Sequence, residues 1–128
     1  MKKDFSQYAL PVLRYGLALV FFWFGISQLL DPDYFIGYLP DFLFFSGYAQ
    51  QIVIANGIGE LILATLLAVG LFTRIAAILL AIHLAIITFE VGLLTETGAR
   101  DFGLTIAVIA IALAGPDKLC LDKRRLKK

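Results

Sequence analysis

The chain has 128 residues, of which 60% are hydrophobic and only 16% charged, with a formal net charge of +1. A soluble domain carries roughly 25% charged residues, so the composition points to lipid and gives no general attraction to nucleic acid. A single Cys120 excludes an internal disulfide, and one Cys with one His cannot build a four-ligand zinc site.

A membrane-crossing helix needs about 20 predominantly apolar residues, and four segments qualify: about 8–30, 51–71, 74–91 and 100–114. In the first, Pro11 falls where a helix tolerates proline. Arg14 interrupts what would be a signal-peptide core, so this segment reads as a retained helix. The run from Asp31 to Gln50 is broken by Pro32 and Pro40 and crowded with Tyr34, Phe35, Tyr38, Phe42, Phe44, Phe45 and Tyr48. It is too interrupted to span and suits the interface, where aromatic rings favour the headgroup level. Phe72-Thr73 marks a tight helical hairpin, and Gly92 to Ala99 reads as a polar turn. Gly115-Pro116 stops the fourth helix, and residues 117–128 form a basic tail.

Basic residues set orientation. With both termini cytoplasmic, nine of the eleven Lys and Arg share that side, namely Lys2, Lys3, Arg74, Lys118, Lys123, Arg124, Arg125, Lys127 and Lys128. Asp31, Asp33, Asp41 and Glu96 then lie opposite with Arg100. Two basic ends on one side require an even number of spans. The expectation is an all-α membrane protein, a four-transmembrane-helix bundle forming one domain.

Ionisable residues inside a span are costly unless they face the bundle interior. At about 1.5 Å per residue, Glu60 lies roughly 16 Å deep and His83 roughly 14 Å, while Arg14 starts only about 6 Å in. Arg14, Glu60 and His83 are therefore expected to form an intramembrane polar cluster, with the long Arg14 side chain either rising toward Glu60, to which it is expected to be coupled, or snorkelling back to water. Gln28, Glu90, Arg100 and Asp101 form a polar group at the outer mouth, and Arg74 marks the cytoplasmic hairpin. Helical spacing puts Arg14, Phe21, Gly25 and Gln28 on one side of the first helix, Asn56 with Glu60 on the second, His83 with Glu90 on the third, and Asp101 with Thr105 on the fourth, with all four polar stripes expected to point inward. Small residues at spacing four, Ala55 with Gly59, Ala64 with Ala68, and Ala77, Ala81 and Ala85, favour close helix packing. The ionisable set reads as a proton relay, as a polar pocket for an amphipathic molecule such as a quinone, or as an ionic network fixing helix register.

The motifs resemble the DoxX family of small four-helix membrane proteins. They are Arg14 to Gly16, Phe24-Gly25-Ile-Ser-Gln28-Leu, Gly59-Glu60 and Gly70-Leu-Phe-Thr-Arg74-Ile-Ala-Ala. Arg100-Asp101-Phe-Gly-Leu104 and Gly115-Pro116-Asp117-Lys118-Leu-Cys120-Leu-Asp122 complete the set. The resemblance implies a multi-pass protein of a prokaryotic cytoplasmic membrane, with Arg14, Glu60, Arg74 and Asp101 as characteristic polar positions. Relatives include the membrane subunit of thiosulfate:quinone oxidoreductase, and others are linked to redox stress or to assembly of redox enzymes. Two positions depart from the pattern: Gln28 stands where Lys is usual, and Cys120 where Ser is more common.

The leading expectation is an accessory or quinone-linked subunit of a membrane redox system. The alternatives are a non-catalytic scaffold for a partner protein and a small-molecule or proton carrier. The sequence does not suggest a stand-alone enzyme, since axial bis-His haem ligation needs two His and no flavin or iron–sulfur motif is present. No cofactor motif and no metal site is evident, and a bound quinone is the one candidate. Expected partners are the lipid bilayer and a soluble or membrane oxidoreductase subunit; a homo-oligomer is open.

Overall fold

The computed structural model describes residues 5–39, 41–92, 94–117 and 119–121. The charged tail from Asp122 to Lys128, expected to be a topology determinant, lies outside the described residues. A 3₁₀ turn over Phe5–Tyr8 leads into α1 (Ala9–Leu30), followed by two short helices, α2 (Pro32–Phe35) and α3 (Asp41–Phe44). Three further long helices follow: α4 (Ala49–Val69), α5 (Thr73–Val91) and α6 (Glu96–Ala114).

Local chemistry explains the boundaries. Pro11 falls in the first turn of α1, where its missing N–H costs no intrahelical bond. Asp31 precedes Pro32 and is driven out of the helical region, with φ −141° and ψ 73°, so α1 ends there. Gly70 closes α4 in the left-handed conformation (φ +76°), its N–H returning to the Leu66 carbonyl at 2.9 Å. A side chain at Gly70 would also strike Cys120, so the segment after α6 rests on this glycine. Thr95 caps α6 by accepting the Gly98 N–H at 2.9 Å. Residues 96–99, expected as turn, are therefore the first turn of α6, made helical by a cap that polar composition concealed.

The four long helices are each long and apolar enough to cross a membrane. Only 28–33% of each span's most apolar stretch is buried within the bundle. The remainder presents Leu19, Ile62, Ile75, Ile82, Phe89 and Leu113 outward. A bundle in water would turn polar residues outward instead; this surface fits hydrocarbon.

α1 packs most closely on α4, and α5 on α6, with fewer contacts between the two pairs. Leu17, Phe21, Ala64, Leu67, Ala77, Leu80, Leu84, Val108 and Ile111 form the core between them. α1 and α4 approach closely at Gly25 and Gly57, where a Cβ on either would lie 3.0 Å from the other's carbonyl oxygen. The expected Ala55–Gly59 row does not pack this way: Ala55 is exposed and a Cβ at Gly59 would meet open space. Gly57 lies half a turn round the helix from Gly59 and faces α1. Gly57→Leu is expected to cost about 1–3 kcal/mol through overpacking, measured as detergent unfolding, with Gly59→Leu near neutral.

Candidate functional site

Glu60 sits midway along α4 and is 5% exposed. Its carboxyl joins three helices. Gln28 of α1 donates from Nε2 to Oε2 at 2.9 Å, and His83 Nε2 of α5 is hydrogen-bonded to Oε1 at 2.7 Å. Asn56, one turn earlier on α4, donates from Nδ2 to Gln28 Oε1 at 2.7 Å and lies 3.3 Å from His83 Nε2. Four polar side chains thus hydrogen-bond with one another, Gln28 and Glu60 buried and Asn56 and His83 partly so. His83 keeps a quarter of its side chain exposed, and its Nδ1 has no hydrogen-bond partner among the described residues.

This cluster forms the polar floor of a cavity of about 370 Å³, within the size range of small-molecule sites. Its walls are apolar and aromatic: Phe21, Trp23 and Phe24 from α1, Ile52 and Val53 from α4, and Leu84, Ile86 and Ile87 from α5. Tyr34, Phe35, Leu39, Phe42 and Leu43 of the segment between α1 and α4 line it too. The segment expected as an interfacial strap therefore contributes cavity wall, through contacts of α2 and the Ile36–Tyr38 turn with α4 and α5. Arg100 and Asp101 of α6 complete the lining. Asp101 is 3% exposed and pairs with Arg100 at 3.2 Å, and the Arg100 guanidinium lies over the Phe24 ring, 5.4 Å from its centroid. Glu90, expected in the same mouth group, is exposed at the end of α5 and does not line the cavity.

Arg14 belongs to a different site. Its guanidinium donates to both Asp117 oxygens, with Nε–Oδ2 at 2.8 Å, and to the carbonyls of Leu67 and Ala68 at the end of α4. The expectation that Arg14 reaches Glu60 is thus corrected. Arg14 lies level with Leu67, about 10 Å of helix from Glu60, and α4 offers it the negative end of its dipole. Asp117 follows the helix-stopping Gly115-Pro116, and only folding of the chain back onto the bundle brings it to Arg14. Cys120 is buried beside it, its Sγ accepting the Asp117 N–H at 3.3 Å and facing the Thr73 hydroxyl at 3.6 Å. A serine could fill both roles, so the cysteine is a packed acceptor. Arg74 lies at this end as well, its guanidinium laid against Gly115, where any side chain would collide with it.

Burial alone would raise the Asp117 carboxyl. The hydrogen bond from Arg14, the Leu119 N–H and the attraction of the Arg14 charge outweigh it and hold the group below its ordinary value.

The bundle therefore carries two polar sites separated by an apolar core: a closed ionic clasp near the termini, and an acid–imidazole–amide cluster beneath an aromatic cavity in the other half. No curated protein and no solved structure matches the chain. The DoxX family model matches residues 9–93, about two thirds of the chain. That stretch contains Arg14, Gln28, Glu60, Arg74 and His83 and ends before Arg100, Asp101 and Asp117. On that match, this multi-pass membrane chain belongs to the DoxX family.

Proposed function

We propose that the protein is a quinone-linked accessory component of a redox system in a prokaryotic cytoplasmic membrane, with both termini in the cytoplasm. The observation that carries this reading is the aromatic cavity floored by Glu60, His83, Gln28 and Asn56. A quinone head is flat, apolar on its faces and polar at its carbonyl oxygens. Trp23, Phe24, Tyr34, Phe35 and Phe42 supply surfaces for the faces, and His83 Nδ1 and the Arg100 guanidinium are the groups that would hold the oxygens. Bound there, a quinone would supply a two-electron, two-proton carrier soluble in lipid. The residues fit that task by offering the head apolar surfaces, orienting it and setting the Glu60 carboxyl and the His83 imidazole beside its oxygens.

Electrons would come from a partner oxidoreductase subunit. In a scaffolding role, the partner would meet the aromatic rim, where Phe42, Phe45 and Tyr48 are all more than two thirds exposed. The carrier reading is the weaker one, because the core beneath Glu60 is apolar.

Trp23 is the only tryptophan and lines the cavity, so its fluorescence reports occupancy. Titrating decylubiquinone into the purified protein is expected to quench Trp23 saturably. His83→Leu should weaken the apparent affinity at least about tenfold, the loss expected when one hydrogen bond to a charged or ionisable group disappears. Quenching that rises linearly without saturation and is unchanged in His83→Leu would overturn the quinone reading.

A further inference from the structure

We infer that the cavity is a one-ended site: water and protons reach Glu60 and His83 from the end of the bundle opposite the termini and not from the terminal end. The inference goes beyond the quinone reading and holds for any ligand of the cavity.

Three observations carry it. First, every polar group lining the cavity belongs to the half away from the termini or to mid-span, and the mouth group Arg100 keeps 54% of its side chain exposed. Second, the layer between Glu60 and the terminal end is dry. Ala64, Leu67, Ala77, Leu80 and Val108 are each 0% exposed, filling roughly 10 Å between Glu60 and the level of Leu67. The hydroxyls near this layer offer no stepping stone, because Thr65 and Thr105 donate to carbonyls of their own helices, those of Leu61 and Asp101. A proton crossing that layer would have to pass through hydrocarbon-like packing without a partner. Third, the terminal end is shut by the Arg14–Asp117 clasp, whose members are only 1% and 6% exposed in their side chains.

A site of this form exchanges protons on one face of the membrane. Whatever proton the Glu60–His83 pair accepts from a bound hydroxyl leaves past Arg100 and Asp101. With the termini cytoplasmic, that face is the outer one, which gives the site a fixed sidedness and sets it apart from a channel or an alternating carrier.

Thiol accessibility tests this directly. In a Cys120→Ser background, Leu84→Cys and Ile52→Cys place thiols on the cavity wall and Leu67→Cys places one in the dry layer. The variants are reconstituted in sealed vesicles, and protease removal of a C-terminal tag scores which face is outside. A membrane-impermeant cationic methanethiosulfonate is added externally. The cavity thiols are expected to react at least tenfold faster when the end opposite the termini faces the reagent, and Leu67→Cys to stay unlabelled in both orientations. Equal labelling from both faces, or labelling of Leu67→Cys from the terminal side, would overturn the one-ended site. Ile52→Cys, at a half-buried position, keeps the test decisive should the Leu84 variant fold poorly. One-sided labelling that decylubiquinone does not slow would uphold the one-ended site while counting against a quinone as its occupant.

Discussion

Arg14→Ala is expected to lower the unfolding free energy by about 3–5 kcal/mol, the usual cost of stripping one partner from a buried ion pair. The substitution strands the Asp117 carboxylate and removes the donor shared by the Leu67 and Ala68 carbonyls, at a site closed to water. Unfolding in mild detergent with a graded denaturant measures it. Asp117→Ala added to Arg14→Ala should cost little more, because the interaction is already gone, whereas Arg14→Ala and Glu60→Gln should add independently. Strong coupling between Arg14 and Glu60, with none between Arg14 and Asp117, would refute the assignment of Arg14 to the terminal clasp. The clasp also predicts a pH dependence. Asp117 is held below its ordinary value of 3.8, so its stabilising contribution is complete above that value and is lost as pH falls through the lower folded value. The Tm gap between the wild type and Asp117→Asn should therefore be constant near neutrality and shrink below about pH 4.

Glu60→Ala should cost about 3 kcal/mol, since the carboxyl accepts from Gln28 and is hydrogen-bonded to His83, and hydrogen bonds to ionisable groups contribute about 1.5–3 kcal/mol each. Part of the loss is recovered because His83 already borders an open cavity. Glu60→Gln should cost less than half as much in stability, because an amide carbonyl still accepts one of the two bonds. Ligand binding should respond differently. Both substitutions break the acid–imidazole pair, so both should weaken decylubiquinone quenching of Trp23 at least about tenfold, equivalent to 1.4 kcal/mol. Wild-type quenching in Glu60→Gln would show that the carboxyl positions helices without taking part in the site.

Gln28 gives Glu60 a neutral donor and receives Asn56 in return. A glutamine can do both because its amide carries an acceptor as well as donors, whereas lysine only donates. The basic groups left near the cavity are His83 at its floor and Arg100 at its mouth. Gln28→Lys is thus a chemically distinct site, with a formal ion pair at Glu60 and no acceptor for Asn56.

The sequence by itself determined the class of structure. Four apolar stretches of membrane-crossing length and a proline-broken aromatic connection follow from local composition, which acts residue by residue and needs no partner. Spacing also marked the buried faces of α1 and α6, where Arg14, Phe21, Gly25 and Gln28 and Asp101 with Thr105 are all buried, but not that of α5, where Glu90 shares a side with His83 by spacing and is exposed. Helix periodicity fixes which residues share a side, and only an interior can take the polar ones. What spacing could not determine was which polar residue meets which. Depth counting placed Glu60 and His83 at the same level, and they are hydrogen-bonded. The same counting left Arg14 with a long side chain free to point either way, and its partner lies 103 residues away beyond a helix stop. That pairing depends on how the chain after α6 folds back over Gly70, a contact no periodicity encodes. The cavity, too, belongs to the tertiary structure alone. It exists because the two tightly packed helix pairs meet loosely and the aromatic connection closes over the gap between them.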